Sequence, residues 1–143
     1  LYELGSSEMP EILERSYSEQ DRPASERRWS AGLLSEEQEW YLNGQPRQRL
    51  QYRPQDESSH ILESRYHDNG ALAYEGEYQM SGQYRRSARG VHRRLDAEGT
   101  LREELHYDDA GRLHRRRSFD EAGQLEKDEE VFADGSRRTF QPD

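Results

Sequence analysis

Histidine is the residue type in this 143-residue chain that could most readily act as a general base or a metal ligand. The five histidines are spread over different predicted turns and strands: His60, His67, His92, His106 and His114. A zinc site needs three or four ligands fixed around one point, and this spacing does not provide them. We expect His106 and His114 to lie close together on neighbouring strands, as solvated residues among charged side chains. The sequence therefore predicts neither a metal site nor a cofactor.

The carboxylates are numerous, but their spacing does not indicate catalysis. Adjacent glutamates such as Glu103 and Glu104 would point to opposite faces of a strand, so they cannot act as two facing carboxylates. Asp108 and Asp109 are candidate calcium ligands, but the pattern lacks the alternating carboxylates and distal Glu of an EF-hand loop, and a turn explains both. The chain also has no nucleophile elbow, phosphate loop or dinucleotide fingerprint. We therefore predict that it is not an enzyme.

The charge balance favours a protein partner over nucleic acid. The chain has 21 basic and 30 acidic residues, a net charge of -9, whereas proteins that bind phosphate backbones usually present a basic surface. Basic clusters such as Arg115-Arg116-Arg117 are expected to form ion pairs with carboxylates on adjacent strands. This composition is typical of an acidic protein that binds basic surfaces.

The aromatic residues divide into two groups by position. Those that recur at a fixed distance from a Gly are predicted to belong to the core: Trp40, Tyr66, Tyr78, Tyr107 and Phe119. Aromatic residues outside that pattern are better candidates for an interface. Together with charged residues where the repeat is interrupted, they give the predicted partner-binding set: Tyr41, Asp56, Glu57, Tyr74, Tyr84, Arg85 and Arg86.

A twelve-residue repeat determines the elements that would position these side chains. Gly99, Gly111, Gly123 and Gly135 are twelve residues apart, and Asp-x-x-Gly motifs suit tight turns. Eleven such turns are predicted, at Gly5, Asp21, Gly32, Gly44, Asp56, Gly70, Gly82, Gly99, Gly111, Gly123 and Gly135. Because twelve is even, the repeated Leu and aromatic residues are predicted to share one face of a sheet.

The predicted fold class is all-β, an elongated and twisted antiparallel meander of β-hairpin repeats with about twelve short strands. We treat residues 1–143 as a single repeat domain, with weaker repeats in 1–60 and the clearest repeats in 61–140. The interval from Gly82 to Gly99 is longer and contains Gly90, which predicts a bulge or longer loop. Ile12 to Tyr17 nearly repeats Ile61 to Tyr66, which suggests a duplicated larger unit.

The composition limits the size of the hydrophobic core and bears on the expected cellular location. Only 30% of the residues are hydrophobic and 36% are charged, which predicts a thin core. There is no Cys, and no apolar run approaches the roughly 20 residues of a membrane span, so membrane insertion is not expected. The sequence begins at Leu1 rather than Met, and removal of a signal peptide is one explanation. We expect a periplasmic protein, with a cytoplasmic location as the alternative.

Several of these motifs together resemble a known repeat. The run from Tyr66 to Leu72, followed by Glu75-Gly76-Glu77-Tyr78 and the later Gly82 and Gly90, is similar to the MORN-variant repeat of the bacterial YwqK family antitoxin group. The run from Tyr107 to Leu113 also resembles the YD repeat of Rhs-type shell proteins.

The resemblance implies a non-catalytic binding protein made of stacked hairpins. By similarity to immunity proteins, its partner would be a cognate toxin, such as a phospholipase effector delivered by type VI secretion. The alternative is a structural repeat or scaffold module related to YD-repeat shells, with no toxin partner.

Overall fold

The computed structural model describes residues 11–55, 58–81 and 85–140. Among these residues no helix is long and apolar enough to cross a membrane. The described chain forms eleven strands, against about twelve predicted. They are β1 (Ile12–Tyr17), β2 (Pro23–Ser30), β3 (Leu33–Trp40), β4 (Pro46–Gln55), β5 (Ser58–Tyr66), β6 (Leu72–Ser81), β7 (Arg85–Leu95), β8 (Leu101–Tyr107), β9 (Leu113–Phe119), β10 (Leu125–Val131) and β11 (Arg137–Phe140).

The strands form one sheet and follow each other in sequence order from β1 to β11. Every neighbouring pair is antiparallel. Within the described residues, each strand contacts only the strands next to it in sequence. The predicted antiparallel meander is therefore confirmed, as an open sheet of a single layer.

Within the described residues, the chain reverses where turns were predicted. In the turn before β8, Asp96 Oδ1 accepts hydrogen bonds from the backbone N–H of Glu98 (3.0 Å) and Thr100 (2.9 Å), and Gly99 has a φ of 89°. That conformation is accessible to Gly without steric cost. The predicted Asp56 turn falls between β4 and β5 and the predicted Gly82 turn between β6 and β7, but these two residues, like Gly5, lie outside the described residues.

Most hairpins contain one extra residue shortly after the turn. In the β8–β9 hairpin, His106 pairs with Arg115 and Tyr107 pairs with Leu113, so His114 has no counterpart on β8. Such a β-bulge reverses the alternation of side chains along its strand. Six other hairpins have the same shift.

These bulges overturn one prediction about the faces of the sheet. An even step of twelve residues was expected to keep the repeated side chains together, but Tyr107 and Phe119 lie on opposite faces. The prediction is wrong because the step contains one bulge residue, which makes the number of regularly paired positions odd. We call the side that carries Tyr107 the front face and the other side the back face.

The bulge predicted near Gly90 is confirmed. Glu75 of β6 pairs with Arg93 of β7, and Glu77 pairs with Arg89, so one residue of β6 faces three residues of β7. Gly90 has a φ of 66° at this point. β7 therefore stays paired with β6 on both sides of this bulge, but the register of the pairing changes there.

Charged side chains replace most of a hydrophobic core. The buried apolar residue of the described chain is Ile61, which is 3% exposed on the central strand β5. Ile12, its counterpart in the duplicated segment, is 54% exposed on β1. Apart from Gly76, the other buried residues are polar or charged: Glu26, Glu63, His92, Glu103, Asp128 and Glu129. The predicted thin core is confirmed.

Opposite charges face each other across the strands. One row of directly paired positions on the back face crosses the whole sheet: Arg15, Glu26, Gln38, Arg49, Ser64, Glu75, Arg93, Glu104, Arg117, Asp128 and Phe140. The strands contain 19 Lys and Arg against 14 Asp and Glu, so they are net positive within a chain of net charge -9. The acidic excess therefore lies outside the strands.

Candidate binding surface

A cluster of aromatic rings occupies the centre of the front face. β6 supplies Tyr74 and Tyr78, β7 supplies His92, and β8 supplies Tyr107. The ring of His92 lies 4.8 Å from that of Tyr107, 5.0 Å from that of Tyr78 and 5.8 Å from that of Tyr74, all in edge-on arrangements. We call these four residues the aromatic cluster. Edge-on packing is a favourable arrangement for aromatic rings.

Gly76 makes room for this cluster. It lies on β6 between the two tyrosines, opposite the bulged part of β7. A Cβ atom at this position would collide with His92 Nδ1 and with the Tyr74 hydroxyl. The absence of a side chain on Gly76 therefore leaves room for the imidazole of His92 and the Tyr74 hydroxyl.

Hydrogen bonds determine the tautomer of His92. Its Nε2 lies 2.9 Å from the carbonyl oxygen of Glu77, which can only accept, so Nε2 carries the proton. Its Nδ1 then accepts from the Tyr74 hydroxyl at 2.5 Å, and the Tyr78 hydroxyl donates to Tyr74 at 2.6 Å. Burial and the hydrogen bond with Tyr78 raise the pKa of Tyr74 above its usual value, so this phenol keeps its proton.

Two arginines extend the aromatic cluster towards solvent. The Arg65 guanidinium lies 5.0 Å from the ring centroid of Tyr74, and that of Arg86 lies 4.6 Å from the ring centroid of Tyr78. Both distances suit cation–π contact. Arg65 also donates through Nε to Glu63, at 3.0 Å, and this bond raises the pKa of the guanidinium.

A groove of about 380 Å³ lies beside the aromatic cluster on the front face. It is lined by Arg65, His67, Ala73, Tyr74, His92, Arg93, Arg94, Leu95, Glu103 and Leu105. Apolar and aromatic groups form part of its wall, and guanidinium groups flank them. This combination is common at the energetic centre of protein interfaces, where Tyr and Arg are enriched.

The geometry favours binding over catalysis in this groove. His92 is 2% exposed and both of its ring nitrogens are engaged in hydrogen bonds, so it does not offer a base to a bound molecule. Its ring instead contacts both Tyr74, through a hydrogen bond, and Tyr78, through edge-on packing. The groove thereby gains a wall that does not need to rearrange on binding.

A second surface follows one end of the strands. We call the five turns at this end (residues 18–22, 41–45, 67–71, 96–100 and 120–124) the turn row. Hydrogen bonds connect several consecutive turns: Arg22 donates to the Leu42 carbonyl (2.6 Å), Asn43 to Asp68 (2.7 Å) and Asn69 to Ala97 (2.8 Å). The turn row contains seven carboxylates and one Arg. It is therefore a hydrogen-bonded acidic edge.

Of the predicted partner-binding residues, two lie together on the front face: Tyr74 within the aromatic cluster and Arg86 stacked on Tyr78. Arg85 is exposed at the start of β7. Tyr41 belongs to the turn row instead, where its hydroxyl donates to the Tyr66 carbonyl at 2.6 Å. The other three predicted residues, Asp56, Glu57 and Tyr84, lie outside the described residues.

The sequence did not identify His92, Arg65 and Arg94 as parts of one surface. Arg65 lies on β5, whereas His92 and Arg94 lie on β7, and only the strand pairing brings these two segments together. Two signals could have indicated the place: Gly76 falls inside a strand rather than at a turn, and Gly90 interrupts the twelve-residue step.

The remaining histidines and acidic turns make local contacts. The rings of His106 and His114 are 6.1 Å apart, which confirms their predicted proximity, and burial lowers the pKa of His106. Asp108 Oδ1 accepts from the backbone N–H of Ala110 and Arg112, both at 2.9 Å, and these bonds lower its pKa. Among the described residues, no group of three or more His, Asp or Glu side chains could hold a metal ion.

The MORN repeat variant family matches the chain at residues 34–53 and 59–80. These two segments correspond to the β3–β4 and β5–β6 hairpins. The predicted similarity to MORN-variant repeats is thus confirmed at two neighbouring hairpins. None of the curated proteins compared with the chain matches it.

Proposed function

We propose that this chain is a non-catalytic immunity protein that neutralises a bacterial toxin by binding it and covering its active site. The observation that carries the proposal is the front face, where half-buried tyrosines and exposed arginines surround a groove on an open, single-layer sheet. Rigid aromatic and Arg side chains supply most of the binding energy in many protein interfaces.

The nature of the partner is inferred from resemblance. Two hairpins match the MORN repeat variant, and the run from Tyr66 to Tyr78 is similar to the repeat of the bacterial YwqK family antitoxin group. The toxin proposed on this basis is a phospholipase effector delivered by type VI secretion, met in the periplasm.

The turn row would contribute attraction over longer distances. Its carboxylates are concentrated along one edge, while the strands are net positive. A concentrated charge of one sign accelerates association with a surface of the opposite sign and selects against other partners. We propose that the turn row faces a basic surface next to the active site of the toxin.

The test is co-expression with the effector encoded beside this protein's gene. The expected result is that growth is restored, that the two proteins purify as a complex, and that the pure protein inhibits the effector in vitro. If the effector stays toxic and no complex forms, the immunity proposal is wrong.

Charge reversal tests the part assigned to the turn row. Glu98→Lys combined with Glu121→Lys should slow association at low salt and have little effect at high salt, because screening removes the attraction. Asp109→Lys is the control, since it reverses an exposed turn carboxylate at the other end of the strands. Equal slowing by the control would contradict the assignment.

The alternative is a structural repeat module without a toxin partner. Such a scaffold would also have turns connected by hydrogen bonds, and strands that contact only their neighbours. A parent gene encoding a very large protein with many more repeats, and no adjacent effector, would favour this alternative.

A further inference from the structure

A row of paired residues crosses the groove on four adjacent strands. Arg65 of β5 pairs with Tyr74 of β6, Tyr74 pairs with Arg94 of β7, and Arg94 pairs with Glu103 of β8. Tyr74 is therefore the residue between two arginines in this row. Their strands are two spacings apart, which is about 9.6 Å.

The charge that a partner would meet at this row is positive. The Arg65 side chain is 55% exposed, whereas Glu63, its ion-pair partner, is 3% exposed. Arg94 is 63% exposed over Glu103, which is 11% exposed. A guanidinium has five N–H donors, and each of these ion pairs uses only part of them. The carboxylates lie beneath the arginines and orient them, and the guanidinium groups face solvent.

The groove wall beside the two arginines is largely apolar. The Tyr74 ring, Ala73 and Leu105 line the groove there, and all three are half-buried in the chain alone. Its volume of about 380 Å³ is at the small end of the range for binding pockets. It therefore suits one or two side chains of a protein better than a large ligand.

We propose that this groove binds an acidic and apolar segment of the protein partner, in which an Asp or Glu stands beside an aromatic or aliphatic residue. The apolar side chain packs on Tyr74 and Leu105, and the carboxylate accepts hydrogen bonds from Arg65 or Arg94. Charge complementarity selects this occupant. The inference rests on the proposed function, because it names the part of the partner that the front face binds.

The surroundings of the groove argue against a nucleic acid as the occupant. His67 and Leu95, at one end of the groove, adjoin Asp68 and Asp96 of the turn row. A polynucleotide would bring successive phosphates past these carboxylates, and like charges repel. A short acidic segment places its charge over the arginines alone.

The test is a selection from a library of random short peptides with the intact chain as bait. Selected peptides should be enriched in Asp or Glu next to Phe, Tyr, Leu or Ile. Arg65→Gln combined with Arg94→Gln should weaken their binding by about tenfold or more, which corresponds to roughly 1.4 kcal/mol. Arg15→Gln combined with Arg28→Gln is the matched control, because these arginines flank buried Glu26 on the back face.

A second measurement covers the case in which the front-face variant does not fold. In the wild-type chain, a selected peptide should shift the NMR signals of Tyr74, Arg94 and Leu105 and leave those of Arg15 and Arg28 in place. Enrichment of basic peptides, signal shifts confined to the back face, or tighter binding of an oligonucleotide than of the peptides would overturn the proposal. So would concentration-dependent self-association lost in the front-face variant, since the occupant would then be a second copy.

The two proposals can fail separately. If the double Gln variant folds and still neutralises the toxin with unchanged affinity, the groove inference is wrong and the immunity proposal stands. If acidic and apolar peptides bind the groove but no effector is neutralised, the immunity proposal is wrong and the groove inference stands.

Discussion

At the scale of single residues, the aromatic cluster depends on Gly76, which has no Cβ atom. Gly76 lies in a strand, where Gly has no packing advantage and weakens the element. Here it is required by volume, because a Cβ would occupy the space of the His92 ring and the Tyr74 hydroxyl. This explains the Gly of the Glu75-Gly76-Glu77-Tyr78 segment.

Gly76→Ala should destabilise the protein by roughly 1–3 kcal/mol, because overpacking displaces a buried ring. The measurement is the free energy of unfolding in urea. In a Gly76→Ala, His92→Ala double variant the His92 ring no longer blocks the added methyl group, and the Tyr74 hydroxyl loses the partner that holds it there, so the loss should be smaller than the sum of the single losses. Additive losses would contradict the steric explanation.

The stability of the folded protein should depend on pH through Asp128, which is a buried carboxylate. Arg115 donates two hydrogen bonds to its carboxylate, at 2.9 and 2.7 Å, and Arg117 lies 3.3 Å away. These contacts lower the pKa of Asp128 in the folded state. A carboxyl group with a lowered pKa binds its proton more weakly in the folded than in the unfolded protein, so the folded state is stabilised while the group is ionised.

The stabilisation from Asp128 should therefore be complete well above the unfolded pKa of about 3.9 and disappear as the pH falls through the lower folded pKa. Urea unfolding at a series of pH values tests this. Asp128→Asn should be less stable than the wild type at neutral pH, and the difference should shrink in acid. A difference that stays constant over this range would exclude the ionised carboxylate as its source.

At the scale of elements, the turn row behaves as a structural unit of its own. Asn43 and Asn69 occupy equivalent places in two turns, and each uses its side-chain N–H to reach a carbonyl of the next turn. Each also accepts a backbone N–H within its own turn, at 2.9 Å. The same residue type thus closes one turn and connects it to the next.

Asn69→Ala should cost about 1 kcal/mol of stability, since it removes both of these hydrogen bonds. Asn43→Ala should cost a similar amount. Glu121→Ala, at an exposed position of the same row, is the control and should stay within about 0.5 kcal/mol of the wild type. Thermal unfolding followed by circular dichroism measures all three. An equal loss for the control would mean that the turns are not connected through these amides.

The sequence predicted the turns better than it predicted the faces. Turn positions depend on local chemistry, as in the Asp96 to Gly99 turn, and such chemistry is visible in the sequence. The face of a side chain depends on pairing with another strand. A bulge residue such as His114 has no distinctive type, so the change of face at Phe119 could not be predicted.

The front-face groove was harder to predict for the same reason. Tyr74 was recognised as lying outside the repeat pattern, but Arg65 and Arg94 are part of ordinary charged strands in the sequence. They become neighbours of Tyr74 only through the register of three strands. The exposure of an Arg above a buried carboxylate likewise follows from packing, which composition does not reveal.

At the scale of the whole molecule, stability should vary along the sheet. Each described strand contacts only its sequence neighbours, as in repeat proteins, whose stability is a sum of local and nearest-neighbour contributions. The most deeply buried side chains, Ile61, Glu63 and His92, lie on β5 and β7, whereas every residue of β1 and β11 is exposed.

Hydrogen exchange should therefore show a gradient of amide protection. The amides of β5, β6 and β7 should exchange most slowly and those of β1 and β11 most rapidly, because opening a terminal strand breaks one set of strand contacts and opening a central strand breaks two. Exchange followed by NMR, residue by residue, measures this. Uniform protection from β1 to β11 would show instead that the charge pairs couple all strands into one cooperative unit. Gly76→Ala should then lower protection throughout the sheet, whereas a graded sheet would lose it mainly around β6 and β7.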